Sequence, residues 1–396
     1  MKERVIERGH VRGPERVSAG VSEHATDVVV VGGGPSGLAA ALSVARAGAS
    51  VVLCEPQGTV FDKPCGEGVL PRGVAVLERL GVALETRERA PFRGLEYWIG
   101  GRRRLALPLD SEAWGVDRPT LLGALDRALA MHGVRRWPAR VVAESDGRAF
   151  VVHDRSGARL RAEVVIEATG ARGRASAARE DPARGRASAG RVGVRARARA
   201  LRPLDHVEIH LAAEAEIYLT PLARGRSNVA VLSRASADGP RGARAVYAAA
   251  LARHPSVERL LGPLETEPES RALFPHGFVA APRAGWFPCG DHAVTIDPIL
   301  GAGVGAALES GEAAGLAALE VLAGADALAV ARAHARWVAR ATSRARLVAG
   351  ALLFLSEHAS LAGSVAGALA HAPALSRACV RFALAAPRAR AAVLPR

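Results

Sequence analysis

The sequence predicts an α/β chain with a parallel-sheet unit first, an antiparallel sheet in the middle and helices at the end. Three observations carry this. A β-branched run, Asp27 to Val31, ends in glycines. Leu38, Ala41, Leu42 and Ala45 follow at helical spacing, then a second apolar run, Ser50 to Cys54, which completes one βαβ unit. Between about 190 and 233 apolar residues alternate with polar ones, as in half-buried strands. From Gly301 onward nearly all of the chain is Ala-rich and helical in pattern.

The remaining elements fall between these. Met1 to about Thr26 is polar and Arg/Glu-rich with no apolar stretch, so it reads as a disordered extension and not as a secretory signal. Pro71–Leu80 and Pro119–Met131 read as helices, and Arg140–Ala143, Ala149–Val152 and Arg161–Ile166 as strands. Residues 171–190 form a low-complexity surface connection. The alternating section resolves into Val192–Ala198, Val207–Leu211, Ile217–Leu219 and Asn228–Leu232. No internal repeat is present.

Composition narrows the class. With 396 residues, 49% hydrophobic and 23% charged, the chain is long enough for two or three packed modules. The net charge of +14 is carried almost entirely by arginine, since Lys2 and Lys63 are the only lysines. An excess of this kind favours anionic partners. No aromatic-interleaved basic cluster or helix-turn-helix pattern accompanies it, so nucleic acid is not expected as a partner. Four cysteines, Cys54, Cys65, Cys289 and Cys379, are scattered without a C-x-x-C pair, which points to a reducing cytoplasm. Leu347–Leu355 is the nearest approach to a membrane span and falls well short of the roughly 18 residues that cross a bilayer.

The chemistry enters at Gly32-x-Gly34-x-x-Gly37, directly after a strand and opening a helix with Pro35 and Ser36. The first glycine allows the tight turn, the second lets a pyrophosphate reach the backbone, and the third permits close helix–strand packing. Phosphates then meet the free N–H groups and positive dipole end of the helix. Glu55 ends the second strand 18 residues after Gly37, placed to accept from the adenosine ribose hydroxyls. This is a Rossmann-like unit. A carboxylate at that point disfavours a ribose 2′-phosphate, hence NADP, at this site.

The choice between FAD and NAD rests on a resemblance. The chain resembles the flavoprotein superfamily of p-hydroxybenzoate hydroxylase, geranylgeranyl reductases and flavin-dependent halogenases, over about residues 27–310. Besides the βαβ unit, Gly290-Asp291 followed by Asp297-Pro298 and Gly301-Ala302-Gly303 is similar to the family segment that meets the ribityl chain and the isoalloxazine ring. Lys63-Pro64-Cys65-Gly66-Glu67-Gly68 with Pro71 is similar to the loop after the second strand in geranylgeranyl reductases and related monooxygenases. Arg118 matches the family arginine that contacts the flavin nucleotide. The text Glu167-Ala168-Thr169-Gly170 departs from the Ala-Asp-Gly of aromatic hydroxylases. Ala75 stands where tryptophan halogenases carry a catalytic lysine, which disfavours halogenation.

The resemblance implies an α/β fold: a Rossmann-like FAD-binding domain of the glutathione-reductase type (27–90, 116–175 and 275–325), interrupted by an antiparallel substrate domain (91–115 and 190–274). An N-terminal extension (1–26) and a C-terminal helical region (326–396) flank them. The implied cofactor is FAD with NAD(P)H as reductant. Expected cofactor contacts are Gly32, Gly34, Pro35, Ser36, Gly37, Glu55, Arg118, Gly290, Asp291, Pro298, Gly301 and Gly303. Cys65, Gly66, Tyr218 and Thr220 are the substrate-pocket candidates. The implied reaction is hydroxylation or epoxidation of an apolar or aromatic small molecule through a flavin C4a-hydroperoxide, in secondary metabolism. Reduction of a prenyl C=C bond is the alternative, and a non-enzymatic basic binding module would leave the flavin segments unexplained.

Two features stay outside that assignment. His206, Glu208 and His210 alternate on one strand, which suits a polar sheet face better than a metal site. Arg332, Arg336, Arg340 and Arg344 form one basic helix stripe, a solvated face or a contact for a membrane surface or acidic carrier protein.

Overall fold

The computed structural model describes residues 24–171, 191–212, 215–234, 241–272 and 281–384. Residues 172–190 of the expected connection over 171–190, and most of the N-terminal extension, lie outside the described residues. The chain opens with β1 (His24–Val31), α1 (Pro35–Arg46), β2 (Val51–Cys54) and β3 (Gly68–Val69). After α2 (Pro71–Arg79) come the long strands β4 (Ala90–Ile99) and β5 (Arg102–Gly115), then α3 (Arg118–Ala130). Next are β6 (Arg135–Trp137), β7 (Val141–Ser145), β8 (Phe150–Asp154) and β9 (Arg159–Glu167). The middle section holds β10 (Arg191–Ala200), β11 (Val207–Leu211), β12 (Ala215–Leu222) and β13 (Arg226–Arg234), followed by α4 (Ala243–Arg253) and α5 (Pro255–Glu258). Two short strands, β14 (Leu261–Leu264) and β15 (Glu269–Ala272), precede β16 (Trp286–Pro288). Four helices close the chain: α6 (Gly303–Leu322), α7 (Ala327–Glu357), α8 (Ala359–Ala370) and α9 (Pro373–Leu384).

These elements form two sheets. In the first, β6, β2, β1 and β9 run parallel, with β8 and β7 added antiparallel beyond β9 and β16 pairing parallel with β9. Val28, Val30 and Leu53 bury one face against α1, α3 and α6. Val29, Val31 and Val52 bury the other against the β7–β8 layer, so a strand of continuous valines is covered on both faces. Strand β1 starts at His24, three residues before the Asp27 expected from the sequence. Pairing of His24–Thr26 with Leu160–Ala162 extends it into polar text that carries no local strand signal.

The second sheet runs β14, β10, β13, β12, β11, β4, β5, β3, with β15 on β10. One face packs on α4 through Val194, Ala196, Ile217 and Val229. The other faces the first sheet and the C-terminal helices, where Leu95, Ile209 and Tyr218 meet Ala345 and Ala349. The β4–β5 hairpin was not legible as strands, because its register shifts between Phe92 and Gly94 and again between Tyr97 and Trp98, breaking the alternation. Helix α2 is tied to α6 by Arg72 Nε to Glu309 at 2.7 Å and Arg79 to Glu312 at 2.6 Å.

Candidate active site

A cavity of about 320 Å³ lies between the C-terminal ends of the parallel strands and the inner face of the second sheet. All sixteen site residues expected from the sequence line it except Gly37 and Gly290, which support the residues that do.

The β1–α1 turn is built by close approach. A Cβ on Gly37 would stand 1.8 Å from the Gly32 carbonyl oxygen, so only glycine lets the first turn of α1 sit on that loop. Gly34, the N-cap of α1 before Pro35, is the opposite case: its Cβ direction is open, with no atom within 4 Å. Gly34, Pro35 and Ser36 line the cavity, so the N-terminus of this twelve-residue helix opens onto it. Glu55 is held beside that N-terminus, accepting from Gly33 N at 2.8 Å and Gln57 N at 2.9 Å. Each oxygen keeps a lone pair for a ribose hydroxyl.

The Cys65–Gly68 loop forms a second wall. Asn228 Nδ2 donates to the Cys65 carbonyl at 3.1 Å. Glu67 is 1% exposed and left-handed, with φ 56°. Few non-glycine residues sit there without compensation. Here the carboxylate is over-determined: it accepts from Arg118 N at 3.1 Å and from both Nε and Nη2 of Arg197. Arg197 also grips Asp62 at 2.9 Å, which anchors the preceding loop. Arg118 lines the cavity with its Nε buried and unpartnered among the described residues. Against desolvation, which lowers it, Cys65, Asp291 and Glu67 hold its guanidinium above the usual value.

The third wall is the segment 290–303. Gly290 N donates to Ser310 Oγ at 2.9 Å, and a Cβ on Gly290 would meet Ser36 Oγ at 2.4 Å, so this turn is seated on α1 and α6. Asp297 caps the one-turn helix Pro298–Leu300 through Ile299 N at 3.0 Å and is itself bound by Arg191 at 3.0 and 3.1 Å. Gly301 and Gly303 present backbone to the cavity with nothing within 4 Å of a Cβ. Thr169, at the departure from Ala-Asp-Gly, bonds His292 Nδ1 at 3.1 Å, and His292 Nε2 lies 3.1 Å from Glu167.

The second sheet supplies the fourth wall. Tyr218 and Thr220 line the cavity from β12 among Phe92, Leu95, Val207, Ile209 and Leu232. Tyr218 donates to Glu216 at 2.9 Å, and Arg191 Nη2 donates to the same oxygen at 2.9 Å. Burial pushes the Glu216 carboxyl up, against the pull of Arg191 and Tyr218. Sequence reading passed over Arg191, Arg195, Arg197, Glu216 and the burial of Glu67. The signal was in the text RVGVRARARA, where arginine and alanine alternate on a strand and so put the arginines on one face. The His206, Glu208 and His210 side chains do not converge. His210 Nε2 meets Glu208 at 3.1 Å inside the sheet, while His206 turns to Asp205 at 2.8 Å.

These walls fit a long dinucleotide. An open glycine at a helix N-terminus suits a pyrophosphate, a fixed carboxylate suits a ribose, and an orphaned Arg118 Nε and two open glycines await an acceptor-bearing ring. The FAD binding domain family model matches residues 25–275. A menaquinone reductase of Mycolicibacterium smegmatis is 32% identical over 318 residues, covering 73% of this chain and 75% of that protein. The 6-methylpretetramide 4-monooxygenase of Streptomyces rimosus is 47% identical over 64 residues, 16% of this chain and 15% of that one. The p-nitrophenol 4-monooxygenase structure from Pseudomonas putida superposes with a TM-score of 0.75 at 19% identity, over 92% of this chain and 100% of that one. The chain has a p-hydroxybenzoate-hydroxylase-like fold, belongs to the FAD-dependent monooxygenase superfamily and is an FAD-dependent oxidoreductase.

Proposed function

We propose that this oxidoreductase is a monooxygenase that hydroxylates or epoxidises an apolar or aromatic small molecule in secondary metabolism, such as antibiotic biosynthesis. The observation carrying this reading is the two-sided cavity. Nucleotide-type walls from α1, the Cys65 loop and 290–303 face an apolar sheet wall of Phe92, Leu95, Val207, Ile209 and Leu232. A flat ring between them is shielded from water, which oxygen transfer requires. FAD, when bound, supplies the redox chemistry: electrons come from NADH or NADPH, and molecular oxygen gives one atom to substrate and one to water.

In this reading Gly32, Gly34, Pro35, Ser36 and the supporting Gly37 receive the pyrophosphate, and Glu55 takes the adenosine ribose. Arg118, Gly290, Asp291, Pro298, Gly301 and Gly303 hold the flavin end, while Cys65, Gly66, Tyr218 and Thr220 border the substrate. The parallel sheet then forms the FAD domain and the second sheet the substrate domain, with α7–α9 behind it. Four free thiols suit work in the cytoplasm. Exposed Arg332, Arg336, Arg340 and Arg344, followed on the same helix by exposed Leu347 and Phe354, favour an anionic lipid surface over an acidic carrier as the peripheral contact.

One observation favours a second reading. A menaquinone reductase is matched over 73% of the chain, whereas the monooxygenase likeness by sequence spans stretches of 63 to 150 residues. C=C reduction on a prenyl-bearing substrate would use the same walls. To separate the two, the FAD-loaded protein is reduced anaerobically with NADPH, NADH or dithionite and mixed with oxygenated buffer while the flavin spectrum is followed. Fast reoxidation, through a species unlike oxidised or reduced flavin or with release of peroxide, supports oxygenation. Reduced flavin that persists in air, with and without aromatic substrates, overturns it in favour of the reductase.

A further inference from the structure

Cross-strand register sets Arg195 opposite Ala230 and Ala230 opposite Tyr218, so the three stand in one row across β10, β13 and β12, and all three line the cavity. Ile209 extends the row on β11. Two residues along, the parallel row Arg197, Asn228 and Thr220 is occupied: Arg197 holds Glu67 and Asp62, and Asn228 holds the Cys65 carbonyl. In the first row Arg195 meets Asp62 and Glu269 through Nη2 alone and Tyr218 meets Glu216, so neither end is tied to the Cys65–Gly68 loop. Strands two apart are about 10 Å from each other. The alanine methyl between them leaves a shallow floor with a guanidinium at one end and a phenol at the other.

The hydrogen-bonding capacity of the two ends is complementary. Arg195 is 1% exposed. Its Nη2 faces Asp62 at 2.9 Å and Glu269 at 3.3 Å, but its Nε is buried without a partner among the described residues. A buried unmatched N–H is costly, and a ligand acceptor there recovers that cost. The positive charge is already balanced by two carboxylates, so a neutral carbonyl oxygen suits Nε better than another anion. At the other end the Tyr218 hydroxyl donates its hydrogen bond to Glu216, so its oxygen keeps the capacity to accept from a hydroxyl donor.

We propose that the row Arg195–Ala230–Tyr218 selects a neutral, flat ring system with a carbonyl oxygen on one side and a hydroxyl on the other, a hydroxyaryl ketone or hydroxyquinone, laid over Ala230. Arg195 Nε donates to the carbonyl, and Tyr218 accepts from the hydroxyl. Leu95, Val207 and Leu232 supply apolar contact. This names the substrate class of the proposed small-molecule oxidoreductase and rests on that reading.

The test is calorimetric titration of the FAD-loaded protein with four matched ligands. These are an acetylnaphthol with its oxygens on opposite rings, acetylnaphthalene without the hydroxyl, ethylnaphthol without the carbonyl, and hydroxynaphthoate with a carboxylate for the ketone. The acetylnaphthol is expected to bind tightest, with each single-oxygen analogue about 5- to 100-fold weaker. Tyr218→Phe should abolish the preference for the hydroxyl and keep that for the carbonyl; Arg195→Lys, which keeps the charge but not Nε, should do the reverse. Should the Arg195 variant fail to fold, the wild-type ligand series and Tyr218→Phe decide. Equal affinity for all four ligands, tighter binding of the carboxylate, or no binding at all overturns the proposal. Oxygen reactivity is a separate readout, so a reductase outcome there leaves this binding preference standing or falling by itself.

Discussion

Replacing Gly34 by alanine separates cofactor binding from folding. A Cβ on Gly34 meets no atom within 4 Å, and its φ of −72° and ψ of 178° are ordinary for alanine. The apo-protein should therefore be as stable as wild type or slightly more so, since glycine-to-alanine changes at compatible sites stabilise by about 0.4–1 kcal/mol. The added methyl stands before the free N–H groups of α1, where the pyrophosphate is proposed to lie. Losing one or two charge-assisted hydrogen bonds of about 1.5–3 kcal/mol each sets the expected loss near 3 kcal/mol. That is about a hundredfold weaker FAD binding. Gly37→Ala is the control of opposite sign: with its Cβ 1.8 Å from the Gly32 oxygen, it should destabilise the apo-protein by roughly 3 kcal/mol or more. The assays are titration of apo-protein by FAD fluorescence and thermal unfolding without FAD. FAD affinity of Gly34→Ala within a factor of about three of wild type, or an apo-protein markedly less stable, would refute the reasoning.

Three further outcomes follow from the same geometry. Against burial, which raises it, Thr120 and Arg226 hold the Asp117 carboxyl below its ordinary 3.8, so its stabilising contribution is present above pH ~3.8 and lost as pH falls through the lower folded value. Asp117→Asn keeps a capping oxygen but removes the charge facing Arg226, and should cost about 0.5–1 kcal/mol at neutral pH, with the two melting curves converging in acid; a pH-independent gap would contradict this. Native alkylation should label Cys65 and Cys379 but spare Cys54 and Cys289, whose thiols burial raises, that of Cys289 to about 12, and FAD should slow labelling of Cys65 alone, as read by peptide mass mapping. Vesicles rich in anionic lipid should co-sediment the protein at low salt, and Arg336→Glu with Arg340→Glu should release it; binding unchanged in the double variant would remove the lipid contact.

The sequence by itself determined the nucleotide half. Strand, glycines, helix and Glu55 are contiguous, and each glycine has a local steric reason that reads directly from spacing. The middle strands were legible wherever alternation was regular, as in Val207–Leu211, and lost where bulges interrupt it, as in β4–β5. Helix α4, buried on the sheet through Val246, Tyr247 and Ala250, was missed because a short alanine-rich stretch looks alike in several contexts. Only the tertiary structure decided which polar groups meet. Glu67 and Arg197 are 130 residues apart, and Asp297 joins Arg191 across 106. Arg195 and Tyr218 come into one row because both pair with Ala230. Cross-strand register is fixed by the packing of whole sheets and by loop docking, neither of which leaves a mark at the residues it brings together.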